Sequence, residues 1–69
     1  MFLIKIIHYF GHSYLGYRDG HPVACAKRVS ARFESYYEAE IASAILPFLS
    51  LRWLDVEIVE EQGKSLADG

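Results

Sequence analysis

Ser35-Tyr36-Tyr37-Glu38-Ala39-Glu40-Ile41-Ala42-Ser43-Ala44-Ile45-Leu46-Pro47-Phe48 carries the clearest helix signal in the chain, and the rest of the fold is read outward from it. Ser35 and Glu38 spell Ser-x-x-Glu, a capping box in which each side chain satisfies a backbone N–H at the helix start. Glu38 and Glu40 lie in the first turns, where the helix dipole favours anions. Tyr37, Ile41, Ala44, Ile45 and Phe48 recur at helical spacing and are expected to form the buried stripe, with Tyr36, Glu40 and Ser43 on the opposite side. Pro47 would clash with the carbonyl four residues back, so the regular helix should end near Leu46.

Upstream, residues 2–10 are rich in Ile, Phe and Tyr and read as a strand ended by Gly11. Alternation puts Phe2, Ile4, Ile6, His8 and Phe10 on one face and Leu3, Lys5, Ile7 and Tyr9 on the other. The run is too short to span a bilayer and carries Lys5 inside it, so neither a membrane segment nor a secretory signal fits. Residues 13–18 and 23–29 read as two further strands joined through Asp19-Gly20, a strong hairpin signal. Pro22 belongs at a strand start or on a sheet edge. Downstream, Leu54, Val56 and Ile58 alternate with Asp55, Glu57 and Val59 in a half-buried strand over residues 51–60. Residues 62–69 have little to bury and read as a flexible tail. The order β-β-β-α-β predicts a single α+β domain over residues 1–61, with one helix packed on a small antiparallel sheet of three to four strands.

Composition adds a surplus. Hydrophobic residues make up 52% of the 69, including five Tyr, four Phe and one Trp. A domain this small buries only about 60% of the surface its unfolded chain exposes, so part of that set should form an apolar surface patch, which marks a protein contact. One helix covers one face of the first strand, yet both faces are apolar. Phe2, Ile4 and Ile6 are therefore expected at a homodimer contact. Tyr36, Glu40, Ser43, Phe48 and Trp53 are the expected partner-binding residues, since exposed aromatics dominate interface energetics. Glu34, Glu38, Glu40, Asp55 and Glu57 would give that surface an acidic character suited to a basic partner.

The net charge of -2 and a pI near 5.8 argue against a general nucleic-acid binder. Lys27, Arg28 and Arg32, joined by Arg18 and flanked by Tyr14 and Tyr17, form the alternative, a small basic platform for single-stranded nucleic acid. His8, His12, His21 and Cys25 are the residue types a structural zinc would choose, but they lack a Cys-x2-Cys knuckle, and no metal or cofactor is expected. No residues assemble a catalytic set, so a non-enzymatic role is expected. The single Cys25 excludes an internal disulfide and suits a reducing cytoplasm.

In size, and in placing Tyr36, Glu38, Glu40, Phe48 and Trp53 as exposed aromatics and acids, the whole chain resembles the small bacteriophage proteins that bind and disable host proteins, the anti-CRISPR and anti-activator type. The resemblance implies a phage-encoded inhibitor acting in the bacterial cytoplasm, dimeric, that occupies the functional surface of a host protein such as a transcriptional regulator or a defence or motility component. It transfers no residue role by position.

Overall fold

The computed structural model describes residues 1–48 and 52–61, with Phe48 described in its backbone alone. The tail expected at 62–69 and Leu51 at the expected start of the last strand lie outside the described residues. The fold is α+β. Strands β1 (Phe2–His8), β2 (Gly11–Arg18), β3 (His21–Cys25) and β4 (Asp55–Glu60) form an antiparallel sheet in the order β3-β2-β1-β4, and helix α1 (Tyr36–Ala42) lies between β3 and β4 in sequence. Two 3-10 segments, Lys27–Val29 and Ser43–Phe48, flank that helix.

The two hairpin turns follow from backbone chemistry. Asp19 and Gly20 both take positive φ (52° and 80°), as a two-residue turn matched to the twist of its strands requires. In the first hairpin neither Tyr9 nor Phe10 has positive φ; that burden falls on Gly11 (φ 131°). Gly11 therefore opens β2 rather than ending β1, and β1 stops at His8, two residues before the expected end. The third strand is shorter than expected as well. It ends at Cys25, and the basic segment that follows coils into a 3-10 turn.

The ladder can be traced residue by residue. The Glu61 N–H donates to the Met1 carbonyl at 2.8 Å, in the register that pairs Leu3 with Val59 and Lys5 with Glu57. Antiparallel partners alternate between bonded and non-bonded pairs, so odd residues of β4 bond β1 while Val56, Ile58 and Glu60 aim their backbone groups off the edge. By the same alternation even residues of β1 bond toward β2, even residues of β2 bond toward β3, and Pro22 and Ala24 point off the opposite edge. Pro22 therefore costs the sheet no hydrogen bond.

Beyond Lys5↔Tyr14 the ladder of β1 and β2 gives way to residues 31–33. Ala31 N–H donates to the Leu15 carbonyl at 3.0 Å, and Phe33 exchanges two hydrogen bonds with Phe2 at 2.7 and 2.8 Å. Residues 26–33 thus form a strap that carries the chain from the β3 edge back to β1 and delivers Ser35 to the start of α1.

The core lies between the helix and one face of the sheet. Ile4, Ile6, Leu15 and Ala39 are fully buried and Leu46 nearly so, with Phe2, Ala24, Phe33, Ala42, Ile45, Val56 and Ile58 packed around them. Two expectations are corrected here. Ile4 and Ile6 are core residues of one chain and Phe2 is half-buried against that core, so this trio is not free to form a dimer contact. The helix is also rotated about its axis from the expected orientation. Ala39, Ala42 and Leu46 face the sheet, and of the expected stripe Ile45 packs against the core, while Tyr37 and Ile41 are 69% and 57% exposed and Ala44 is exposed too. The pinning of Phe33 to Phe2 sets where the helix begins, and the small Ala39 and Ala42 side chains leave room for Ile4, Ile6 and Leu15 against it. Interiors close-pack, and a tyrosine does not fit at the fully buried Ala39 position.

Candidate interaction surface

Ser35 starts α1 as expected. Its Oγ accepts the Glu38 N–H at 3.1 Å. The regular helix ends at Ala42, earlier than the expected end near Leu46. Ser43 N–H reaches back to the Ala39 and Ile41 carbonyls, and Ser43 Oγ donates to the Glu40 carbonyl at 2.6 Å. An α-helical Pro47 would collide with the Ser43 carbonyl, and the chain continues instead as 3-10 through Phe48.

The expected partner-binding residues divide under this geometry. Glu40 is exposed on the helix. Ser43 is half-buried and its hydroxyl is used to end the helix. Tyr36 is exposed over half its surface, yet its ring stands edge-on to Phe2 with centroids 6.0 Å apart, so it also covers the core rim. Trp53 precedes β4, and its indole N–H donates to the Leu46 carbonyl at 3.3 Å, tying the 3-10 segment to the sheet. Phe48 falls on a side chain outside the described residues. What the helix does present is a ridge of Tyr37 and Ile41, flanked by Glu38 and Glu40 and continued by Ala44 on the 3-10 segment. Sequence periodicity found this ridge but assigned it to the core.

A second apolar surface sits at the turn between β1 and β2. Phe10 is 94% exposed and Tyr9 is exposed beside it, while Leu54, whose N–H donates to the Ile7 carbonyl at 2.7 Å, is exposed at the same end of the sheet. The signal for it was present in Phe10 standing directly before a glycine. His8 holds this turn: its Nδ1 accepts the Phe10 N–H at 3.2 Å and its Nε2 lies 3.0 Å from Ser13 Oγ. A backbone N–H can only donate, so Nδ1 is unprotonated and Nε2 carries the proton toward Ser13.

The alternative sites come apart. His8 lies on the helix-covered face, His12 on the opposite face, and His21 at the far end of β2, so the zinc set does not converge. Among the described residues no three metal-ligating side chains cluster. Burial pushes the Cys25 thiol up, outweighing the opposing pull of Arg18, and so disfavours the thiolate. In the basic platform Tyr14 and Tyr17 point to opposite faces, and Arg32 is held by Glu61 through Nε at 2.7 Å and Nη2 at 2.9 Å. Lys27 and Arg28 remain exposed. The acidic residues do not make one face: Asp55 and Glu57 point away from the side that carries the helix with Glu38 and Glu40. Among the described residues no helix is long and apolar enough to cross a membrane.

Comparison with family models, curated proteins and solved structures returned no match.

Proposed function

We propose that this chain is a small non-enzymatic protein-binding module that acts by covering a partner's functional surface, in the manner of the phage inhibitors of host proteins that its sequence resembles. The observation that carries this reading is the outward ridge of α1. Tyr37 and Ile41 stand mostly in solvent on a helix whose opposite side already satisfies the core. A fully buried side chain of this size gains about 1.5–3 kcal/mol over an exposed one, so these two residues forgo stability within the monomer that a partner would return. Tyrosine suits the task because it offers a large rigid surface with a polar tip. Glu38 and Glu40 beside the ridge favour a partner with a basic rim.

The test is photo-cross-linking. A benzoylphenylalanine placed at Tyr37 and, separately, at the distant exposed His21 is activated in bacterial lysate. The reading expects one discrete adduct from position 37, its loss when Ile41→Ser is added, and no such adduct from position 21. Indistinguishable adduct patterns from both positions would remove the helix ridge from the account.

A further inference from the structure

The two edges of the sheet are not equivalent, and the difference says what kind of chain can join it. On the β3 edge the outward-pointing residues are Pro22 and Ala24, and Pro22 has no N–H to offer. This edge is blunted. On the β4 edge the outward residues are Val56, Ile58 and Glu60. The Val56 N–H is already taken by the Asp55 side chain, whose Oδ1 accepts it at 2.8 Å. Ile58 and Glu60 point N–H and C=O groups off the sheet, and among the described residues no strand pairs with them. Half-buried Ile58 and Val59 sit on the two faces at that point, and Asp55, Glu57 and Glu60 surround them, all exposed.

We infer that the β4 edge is a strand-addition site for an extended, basic segment of a partner protein, seated on the backbone groups of Ile58 and Glu60. This rests on the protein-binding reading above and adds to it a mode and a partner chemistry. Strand addition draws its affinity from main-chain hydrogen bonds and its selectivity from alternate side chains. Lysine or arginine at alternate positions of the incoming strand would stand across from Glu57 on one face or Glu60 on the other, and opposite charges across strands attract. A second copy of this chain is the poorer occupant. Joining β4 to β4 would crowd three acids per strand along one seam, and like charges there are destabilising.

The experiment uses the full chain, isotopically labelled, and a synthetic acetylated peptide amide of alternating Lys and Val. Two control peptides replace every Lys by Glu, or the central Val by Pro. Amide exchange and chemical shifts are followed by NMR at low salt. The expected result is slowed exchange at the Ile58 and Glu60 amides on adding the basic peptide. The acidic and proline peptides should bind more weakly by about tenfold or more. The double variant Asp55→Asn, Glu60→Gln should lower the basic peptide's affinity several-fold, and His21→Ser, at an exposed position on β3, should leave it unchanged. Equal binding of the acidic peptide would overturn the charge argument. Ile58 and Glu60 amides already protected in the free chain would show the edge occupied, by a second copy if the protection grows with concentration, and would overturn the proposal. Shifts confined to Tyr37 and Ile41 would overturn it too while leaving the helix-ridge reading in place.

Discussion

Arg32 and Glu61, 29 residues apart, face each other across β1 in a two-point ion pair with contacts of 2.7 and 2.9 Å. The remaining guanidinium nitrogen, Nη1, donates to the Ser30 carbonyl at 3.1 Å. One side chain thereby fastens the strap at residues 26–33 to the end of β4, and Glu61 is anchored. The strap passes over the face away from the helix, where a Cβ built on Gly16 would lie 3.5 Å from Ser30 Cα. On that face Leu3 is fully buried, with Val59 as its cross-strand partner. One helix does not cover both faces of β1; the strap helps with the second.

The hydrogen bonds from Arg32 hold the Glu61 carboxyl below the usual carboxylate range, outweighing a partial burial that pushes the other way. A carboxyl depressed in the folded state contributes stability that is full above its unfolded pKa and lost as pH falls through the folded one. Glu61→Gln should therefore be less stable than the parent at about pH 7, and the gap between their urea midpoints should close toward about pH 3. A gap independent of pH would mean that the pair's charge contributes nothing.

Ser35→Ala removes the acceptor for the Glu38 N–H and should cost about 0.5–2 kcal/mol. Coincident denaturation midpoints for variant and parent would show that the helix begins elsewhere.

Tyr36→Ala loses the edge-to-face contact with Phe2 and should lower stability by about 0.5–1.5 kcal/mol. Phe10→Ser, at a side chain in open solvent, should shift the midpoint by less than about 0.5 kcal/mol.

Gly16→Ala should destabilise the fold by about 1–3 kcal/mol, the usual range for overpacking. The new methyl would stand 2.5 Å from Cys25 Sγ, with the strap backbone behind it. Adding Cys25→Ala to Gly16→Ala should recover part of that loss in the same thermal melts. No recovery would assign the clash to the strap.

Local signals in the sequence were strong where one residue type has one physical use. Ser35 as a cap, Asp19-Gly20 as a turn and Pro22 on an edge all stand where their backbone chemistry requires. The alternation of Val56 and Ile58 with acids likewise marked β4, and the α+β class follows from these elements. What could not be read was rotation and closure. Residues 35–48 carry two apolar stripes, Tyr37–Ile41–Ala44 and Ala39–Ala42–Leu46. Hydrophobicity favours the first, but the space above Ile4, Ile6 and Leu15 selects the second. The contacts of Arg32 with Glu61 and of Ala31 with Leu15 join residues far apart in sequence and leave no periodic trace. For the candidate interaction surface the sequence thus indicated the helix and its exposed Tyr36 and Glu40, but placed Tyr37 and Ile41 on its buried side.

The most direct test of the account is a paired measurement on the double variant Tyr37→Ser, Ile41→Ser. Its unfolding midpoint and its recovery, by pull-down without cross-linker, of the partner identified from position 37 are determined in parallel with the parent. If the ridge serves recognition and not folding, stability stays within about 0.5 kcal/mol of the parent while the partner is lost. A variant that loses the several kcal/mol expected of two core truncations, or one that keeps both its fold and its partner, would contradict the account.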